Sequence, residues 1–365
     1  MPRIKRRILV NRRPILLAVA AIVVIFIFWQ IFSIFKPLTA FTSQNKLSPF
    51  SFLSLLFERK PKVETINGRA NFVFLGISGG NHAGANLTDS IIFISLDFEK
   101  KDALMVSIPR DIWLPSLKTK INSAYHYGEE KEKGGGLILA KSAVSEVLGQ
   151  PVLNAFVLDF ETFKKIIDLI GGIEVNVSPG FEDKFYPIPG MEDDFCGGDP
   201  EFLCRYETIR FASGSQIMDG EKALKFVRSR FSGDGNGTDF SRSRRQQLVI
   251  NSIIGKMKNL LMQKKFDLLK SMFDLGIDSL ETDMEFPQIL SLAKFFYFNR
   301  DMTVRQAALD SGDDVKDIAG LLENPPLWEY DGIWVLVPRN GDFEEIHRYI
   351  SCQMEGRTCP VEKLN

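Results

Sequence analysis

Residues 155–177 read A-F-V-L-D-F-E-T-F-K-K-I-I-D-L-I-G-G-I-E-V-N-V. Residues 155–158 form a short apolar run of the kind a buried strand shows. Residues 160–170 then place Phe163, Ile166, Ile167 and Ile170 on one helical face, three and four positions apart. Gly171 and Gly172 close that helix, because glycine accepts the left-handed backbone a helix end needs. Residues 173–177 follow as the next strand. The order strand, helix, strand points to an α/β architecture, a central mixed sheet with helices on both faces.

The flanking sequence extends this pattern in both directions. Residues 71–76 (N-F-V-F-L-G), 91–96 and 103–108 read as strands, the last two joined by a charged turn over 97–101. The loop after the first strand is rich in glycine, yet no Gly-Lys-Ser/Thr ends it, so a nucleotide P-loop is excluded. The third strand ends in Pro109-Arg110-Asp111, at a sheet rim where α/β ligand sites form. Residues 120–127 (K-I-N-S-A-Y-H-Y) precede a loop over 128–136, and a helix over 136–148 ends at Gly149. Residues 178–215 read as a long irregular insertion. Asp219 caps a helix over 221–227 that delivers Arg228. A helix from Asp239 to about 262 turns Val249, Ile253, Met257 and Leu260 inward. Amphipathic stretches near 266–275 and 286–296, late strands at 304–309 and 333–337, and a helix over 343–351 complete the chain.

The strongest local concentration of charge is R-S-R-F-S-G-D-G-N-G-T-D-F-S-R-S-R-R-Q-Q, residues 228–247. Arginine stays charged at physiological pH and presents a planar fork of donors that matches phosphate oxygens. Arg242, Arg245 and Gln246 fall at i, i+3 and i+4 near a helix N-terminus, which itself favours anions. An anion site for at least two phosphates is one reading, with the glycines as a hinge between two arms. A solvated basic face is the other.

The chain has 365 residues, 45% of them hydrophobic, and a formal net charge of −1. That balance gives no global reason to expect nucleic acid as a partner. Residues 3–13 hold Arg3, Lys5, Arg6, Arg7, Arg12 and Arg13. Residues 15–35 then carry no charge; as a helix they span roughly 31 Å, against a hydrocarbon core of about 30 Å. The positive-inside rule places the N-terminus in the cytoplasm and everything after Lys36 outside. A cleaved signal peptide is the rival, though its apolar region would be shorter and no A-x-A follows. The expected layout is a cytoplasmic basic tail (1–14), a transmembrane helix (15–35), an extracytoplasmic linker (36–66) and a domain over 67–365.

Outside the membrane, Cys196 with Cys204 and Cys352 with Cys359 suit two short-loop disulfides. Free thiols remain the alternative. Zinc is disfavoured by the C-x7-C and C-x6-C spacings, which are not the common ligand spacings.

The motif order L-G, T-D-S, S-I-P-R-D, K-I-N-S-A-Y, D-F-E-T-F, L-I-G-G-I-E-V-N-V, M-D-G-E-K-A-L-K-F-V-R-S-R and D-F-S-R-S-R-R-Q-Q resembles the LytR-CpsA-Psr family, over about residues 70–262. The resemblance implies a membrane-anchored enzyme whose domain lies outside the cytoplasmic membrane. It implies transfer of a glycopolymer from a polyprenyl-pyrophosphate carrier to a wall acceptor such as peptidoglycan. A phosphodiester forms and the polyprenyl phosphate is released. The resemblance also implies a hydrophobic pocket for the lipid, and magnesium, or manganese in its place, as cofactor. On this resemblance Asp89 is the metal ligand and base, Arg110 a catalytic pyrophosphate ligand, and Asp111 the group that orients Arg110. Lys120, Arg228, Arg230, Arg242 and Gln246 are the remaining pyrophosphate contacts. The family often places Asp where this chain has Ser78 and Arg where it has Leu87; Asn81 or Asn86 could supply a metal oxygen instead. His82 and His126 are left without a role. The region 263–365 is a C-terminal extension to the motif core. Rival expectations are a hydrolase of the lipid-linked donor and a non-catalytic polyprenyl-phosphate-binding wall protein.

Overall fold

A computed structural model describes residues 60–361, apart from 81, 83, 192, 230–238, 264, 300 and 314–317. The expected tail, transmembrane helix and most of the linker therefore lie outside the described residues, as do Asn81, Arg230 and the glycine hinge. Among the described residues no helix is long and apolar enough to cross a membrane.

The chain divides into two compact units, residues 63–284 with 296–365, and residues 1–62 with 285–295. In the second, the Lys62 N–H donates to Ser291 Oγ (3.1 Å), whose hydroxyl donates to the Gln288 carbonyl (2.8 Å).

The larger unit opens with β1 (Arg69–Ile77), β2 (Thr88–Asp97) and β3 (Asp102–Ile108). The turn between β2 and β3 is closed by Asp97, whose Oδ1 accepts from the Glu99 and Lys100 N–H groups. A small hairpin, β4 (Trp113–Leu114) and β5 (Thr119–Lys120), leads to α1 (Ala124–Lys131), α2 (Gly135–Leu148), β6 (Asn154–Asp159) and α3 (Phe160–Leu169). Then come β7 (Ile173–Val177), β8 (Phe181–Pro187), β9 (Tyr206–Phe211) and β10 (Gly214–Met218). The chain ends with α4 (Gly220–Arg228), α5 (Asp239–Met262), α6 (Phe266–Ser279), β11 (Glu281–Thr282), α7 (Phe286–Phe298), β12 (Thr303–Ala308) and, after short hairpins, α8 (Glu344–Met354).

The central sheet has six strands in the order β11-β6-β1-β2-β3-β12. The pairs β1/β6 and β3/β12 are parallel and the other three are antiparallel, so the sheet is mixed as expected. Its faces differ. Val73, Leu75, Ile91, Phe93, Leu104 and Val106 are buried against Ala140, Val144 and Val147 of α2 and Ile346 and Ile350 of α8. Phe74, Ile92, Ile94 and Met105 face α3, α4 and α5 across a cavity.

Three expectations need correction. Residues 173–177 form a strand, but β7 pairs with β10 in a separate ribbon and not with the central sheet. Its alternation of buried and exposed residues suits a ribbon with one face covered. Residues 178–215 are not irregular throughout: β8 and β9 form an antiparallel hairpin. Phe181, Phe211 and Phe226 hold it, with ring centroids 5.0–5.8 Å apart. Cys196 and Cys204 are joined in a disulfide near its end, and Cys352 is joined to Cys359. The strand expected over 333–337 is reduced to Val337–Pro338 and an isolated bridge from Ile112 to Leu336.

Helix α4 shows how sequence sets position. The Asp219 carboxylate accepts from the Lys222 N–H at 2.8 Å, capping the first turn. A Cβ on Gly220 would lie 2.4 Å from the Lys164 carbonyl, so only glycine lets α4 approach α3 this closely. The Gly220 N–H donates to Asp168 Oδ1 at 2.7 Å. Inward, Ala223 and Phe226 are almost fully buried beside Ile167. Burying a side chain the size of Phe226 contributes roughly 1.5–3 kcal/mol.

Candidate functional site

Asp89 enters on β2, one residue from its start, and Arg110 lies just beyond the end of β3. The antiparallel pairing of these strands brings them together. Arg110 Nη1 donates to Asp89 Oδ1. Behind Arg110, Asp111 is buried; its Oδ2 lies 3.4 Å from Arg110 Nε and its Oδ1 accepts from Lys120 Nζ at 2.8 Å. Lys120 comes from β5, and the Asn122 N–H donates to the Arg110 carbonyl (3.2 Å). The K-I-N block thus buttresses the P-R-D loop.

Opposite stands the end of α4. The Arg228 guanidinium lies 4.7 Å from the Phe160 ring centroid and 5.7 Å from that of Tyr186, and Nη1 donates to the Tyr186 hydroxyl at 3.4 Å. Two aromatic faces hold such a planar cation with little loss of its outward donors. Burial, opposed by the charge of Arg228, pushes the Tyr186 phenol above its ordinary pKa, so it stays neutral at physiological pH.

Helix α5 supplies Arg242 and Gln246; Gln246 Nε2 donates to Ser90 Oγ at 2.7 Å. The spacing-based trio Arg242, Arg245 and Gln246 is split by the structure. Arg242 and Gln246 line the cavity, whereas Arg245 donates to the Ser229 carbonyl and stacks 4.9 Å from the Phe181 centroid. Arg244 is exposed.

Asp89, Arg110, Arg228, Arg242 and Gln246 therefore border one polar cavity of about 350 Å³. Asp111 and Lys120 stand behind it. The hairpin adds Asp183, Phe185, Tyr186 and Tyr206, none of which sequence reasoning singled out. Asp183 is fully buried and accepts from Ser229 Oγ (2.7 Å) and the Phe185 N–H (3.0 Å). The alternation of Ile209 and Phe211 was the available signal for this hairpin. Three guanidinium groups (Arg110, Arg228, Arg242) against two carboxylates (Asp89, Asp183) leave the lining cationic by one charge.

A second cavity of about 370 Å³ adjoins the first. Its walls are the open sheet face and apolar side chains of α3, α4 and α5, among them Phe163, Leu224, Val249 and Ile253. Ser90, Phe160, Val227 and Gln246 border both cavities, so a compartment lined by arginines adjoins an apolar one.

The donor chemistry fits a cation only in part. Magnesium commonly takes one or two carboxylates and completes its sphere with phosphate oxygens and water. Asp89 on the cavity wall can serve as such a ligand. At the position where a second acid was anticipated, Ser78 Oγ instead lies 3.1 Å from His82 Nε2 and donates to the Ala85 carbonyl. Among the described residues, the one grouping of three potential metal ligands is Asp194, Cys196 and Cys204, and those two sulfurs are already bonded to each other.

A model of the LytR_cpsA_psr family matches residues 42–322. The chain belongs to the LytR_cpsA_psr family. It is 28% identical over 233 residues to TagV of Bacillus subtilis (strain 168), named a polyisoprenyl-teichoic acid–peptidoglycan teichoic acid transferase; the match covers 62% of this chain and 52% of that protein. To TagU of Bacillus licheniformis, which carries the same activity in its name, it is 26% identical over 234 residues, covering 63% of this chain and 65% of that one. The chain thus matches between half and two thirds of the length of these relatives. The crystal structure of B. subtilis TagV has the same fold, with a TM-score of 0.54 at 22% identity over 80% of this chain and 100% of that one. TagT bound to LI-WTA gives 0.52 at 18% identity, over 82% and 97%.

Proposed function

We propose that this LytR_cpsA_psr protein transfers a glycopolymer from a polyprenyl-pyrophosphate carrier to a wall acceptor such as peptidoglycan. The observation that carries the reading is the junction of the two cavities: arginines gathered on one side of Ser90, Phe160, Val227 and Gln246, and an apolar chamber on the other. A lipid pyrophosphate has that division of chemistry.

Arg110, Arg228 and Arg242 bind the pyrophosphate oxygens and stabilise the charge that grows on them as the bridging bond stretches. Arg110 Nε is buried and makes no hydrogen bond, with Asp111 Oδ2 3.4 Å away, so it keeps a donor to offer an incoming anionic oxygen. Asp111 and Lys120 hold Arg110 in place. Arg230, outside the described residues, joins this set by its position in the R-S-R block. The acceptor hydroxyl attacks the phosphorus that carries the glycan, and its proton passes to Asp89. The bond to the lipid phosphate breaks, leaving a glycan–acceptor phosphodiester and polyprenyl monophosphate. Magnesium, or manganese, held by Asp89 and phosphate oxygens, would supply further charge neutralisation. The arrangement expected in the cell is an anchor at 15–35 with this domain outside the cytoplasmic membrane.

The test is to incubate full-length protein with a polyprenyl-pyrophosphoryl glycan and a peptidoglycan fragment, with and without Mg²⁺, beside Arg110→Ala. Metal-dependent lipid monophosphate and glycan–acceptor product, both lost in the variant, are expected. Lipid monophosphate with free glycan phosphate would favour the hydrolase. Tight binding with no turnover in any metal would favour a binding protein. A reporter fused after Lys36 that works only in the cytoplasm would overturn the topology.

A further inference from the structure

Part of the polar cavity's lining is aromatic. Phe185, Tyr186, Pro187 and Tyr206 border the polar cavity and not the apolar one. Phe185 and Tyr206 are also open to solvent, at 44% and 36% exposure, so they stand at the mouth. Their rings meet edge to face, centroids 5.8 Å apart at 83°. Adjacent residues of a regular strand point to opposite faces, yet Phe185 and Tyr186 both border this cavity. The pairing of β8 with β9 shifts register between Asp183 and Tyr186, and the Asp183 carboxylate holds the shifted segment through the Phe185 N–H. The irregularity thus adds a second aromatic side chain to the wall.

We propose that Phe185 and Tyr206 form a stacking subsite for the pyranose ring attached to the donor's pyrophosphate. This rests on the transferase reading above. A donor running lipid, pyrophosphate, glycan enters the apolar chamber at one end, so its first sugar lies against lining that the polar cavity does not share with that chamber. The aromatic part of that lining carries no ionised side chain. A pyranose presents a C–H face suited to an aromatic ring, whose negative π face attracts the weakly positive hydrogens, while the phenol of Tyr206 suits its hydroxyls. Rigid aromatic side chains lose little conformational freedom on binding. The arginines beyond fix the phosphate, so the ring has one position to fill.

The test uses full-length protein in detergent and two probes, geranylgeranyl pyrophosphate and the same molecule with glucose on its terminal phosphate. Wild type binds the glucosylated probe more tightly. The double variant Phe185→Leu/Tyr206→Leu, which keeps apolar bulk and loses the π faces, weakens binding of the glucosylated probe about tenfold and leaves the sugar-free probe unchanged. Phe185→Tyr retains the full preference. An equal loss for both probes, or no loss for either, would overturn the subsite. A loss confined to a phosphate-free muropeptide would assign the wall to the acceptor and also overturn it. Failure of wild type to bind the sugar-free probe would sink the transferase reading itself, a result separate from failure of the sugar increment alone.

Discussion

Arg245 Nη2 donates to the carbonyl of Ser229, across 16 positions of sequence, tying the first turns of α5 to the end of α4. Ser229 in turn donates its hydroxyl to buried Asp183. The α4 arm, the α5 arm and the β8–β9 hairpin are joined by that short chain of contacts, and Arg228 stands one residue from its centre. Arg245→Ala removes a charge-assisted bond from a buried site and is expected to cost about 2 kcal/mol. Arg244→Ala, at an exposed position one residue earlier, is expected to cost almost nothing. Urea denaturation of both variants checks the contrast; equal midpoints would remove Arg245 from this structural role.

The apolar chamber gives a length-dependent prediction. Ile254 lines it and no part of the polar cavity. Ile254→Trp places an indole where the lipid would lie. Affinity for geranylgeranyl pyrophosphate is expected to fall at least tenfold, or about 1.4 kcal/mol, while that for isopentenyl pyrophosphate holds. Calorimetric titration of both ligands decides it, and a uniform loss would mean the chamber does not take the chain.

The cysteines offer a simple count. Both pairs are bonded, so thiol titration of the denatured, unreduced protein should find none, and reduction should release all four. Short loops of this kind stabilise by roughly 2–3 kcal/mol on the chain-entropy model, so reductant should lower the melting temperature. Unchanged melting would show that both loops hold without their bonds.

Far from the site, Asp102 at the start of β3 ties Arg69 of β1 to Arg305 of β12. Its carboxylate accepts from Arg305 Nε (2.8 Å) and Nη2 (2.7 Å) and from Arg69 Nη2 (3.0 Å). The bonds to Arg305 first, and those to Arg69 after, hold its pKa below the ordinary carboxylate value despite burial. A lowered folded pKa contributes stability above the unfolded value of about 3.9 and loses it as pH falls through the folded one. Asp102→Asn should therefore cost about 3 kcal/mol at pH 7, since it leaves buried Arg69 short of a partner. The gap from wild type should narrow near pH 3. A constant gap at both pH values would show that the effect is not electrostatic.

Much of this molecule was legible in its residues. The hairpin β2–β3, the capped helix α4 and the glycine stop after α3 are local, so short-range patterns specify them. Asp89, Arg110, Arg228, Arg242 and Gln246 were likewise read from motifs, and they border one cavity. The failures share a cause. Residues 173–177 look like any strand, and nothing local says which partner a strand takes; here β7 pairs with β10. Residues 178–215 lack strong alternation because the β8–β9 ribbon buries only part of one face, around Phe181, Phe211 and Phe226.

The amino-acid sequence by itself determined the types of element, their order and the supply of arginine and carboxylate at the strand and helix ends, because these follow from interactions within a few residues. Only the tertiary structure decided which of those arginines meet. It turned Arg242 into the cavity and Arg245 onto Ser229, three residues apart on one helix, since a side chain's role depends on what long-range packing sets opposite it. The same packing joined an apolar chamber to a cationic one through Ser90, Phe160, Val227 and Gln246, residues that no single stretch of sequence brings together.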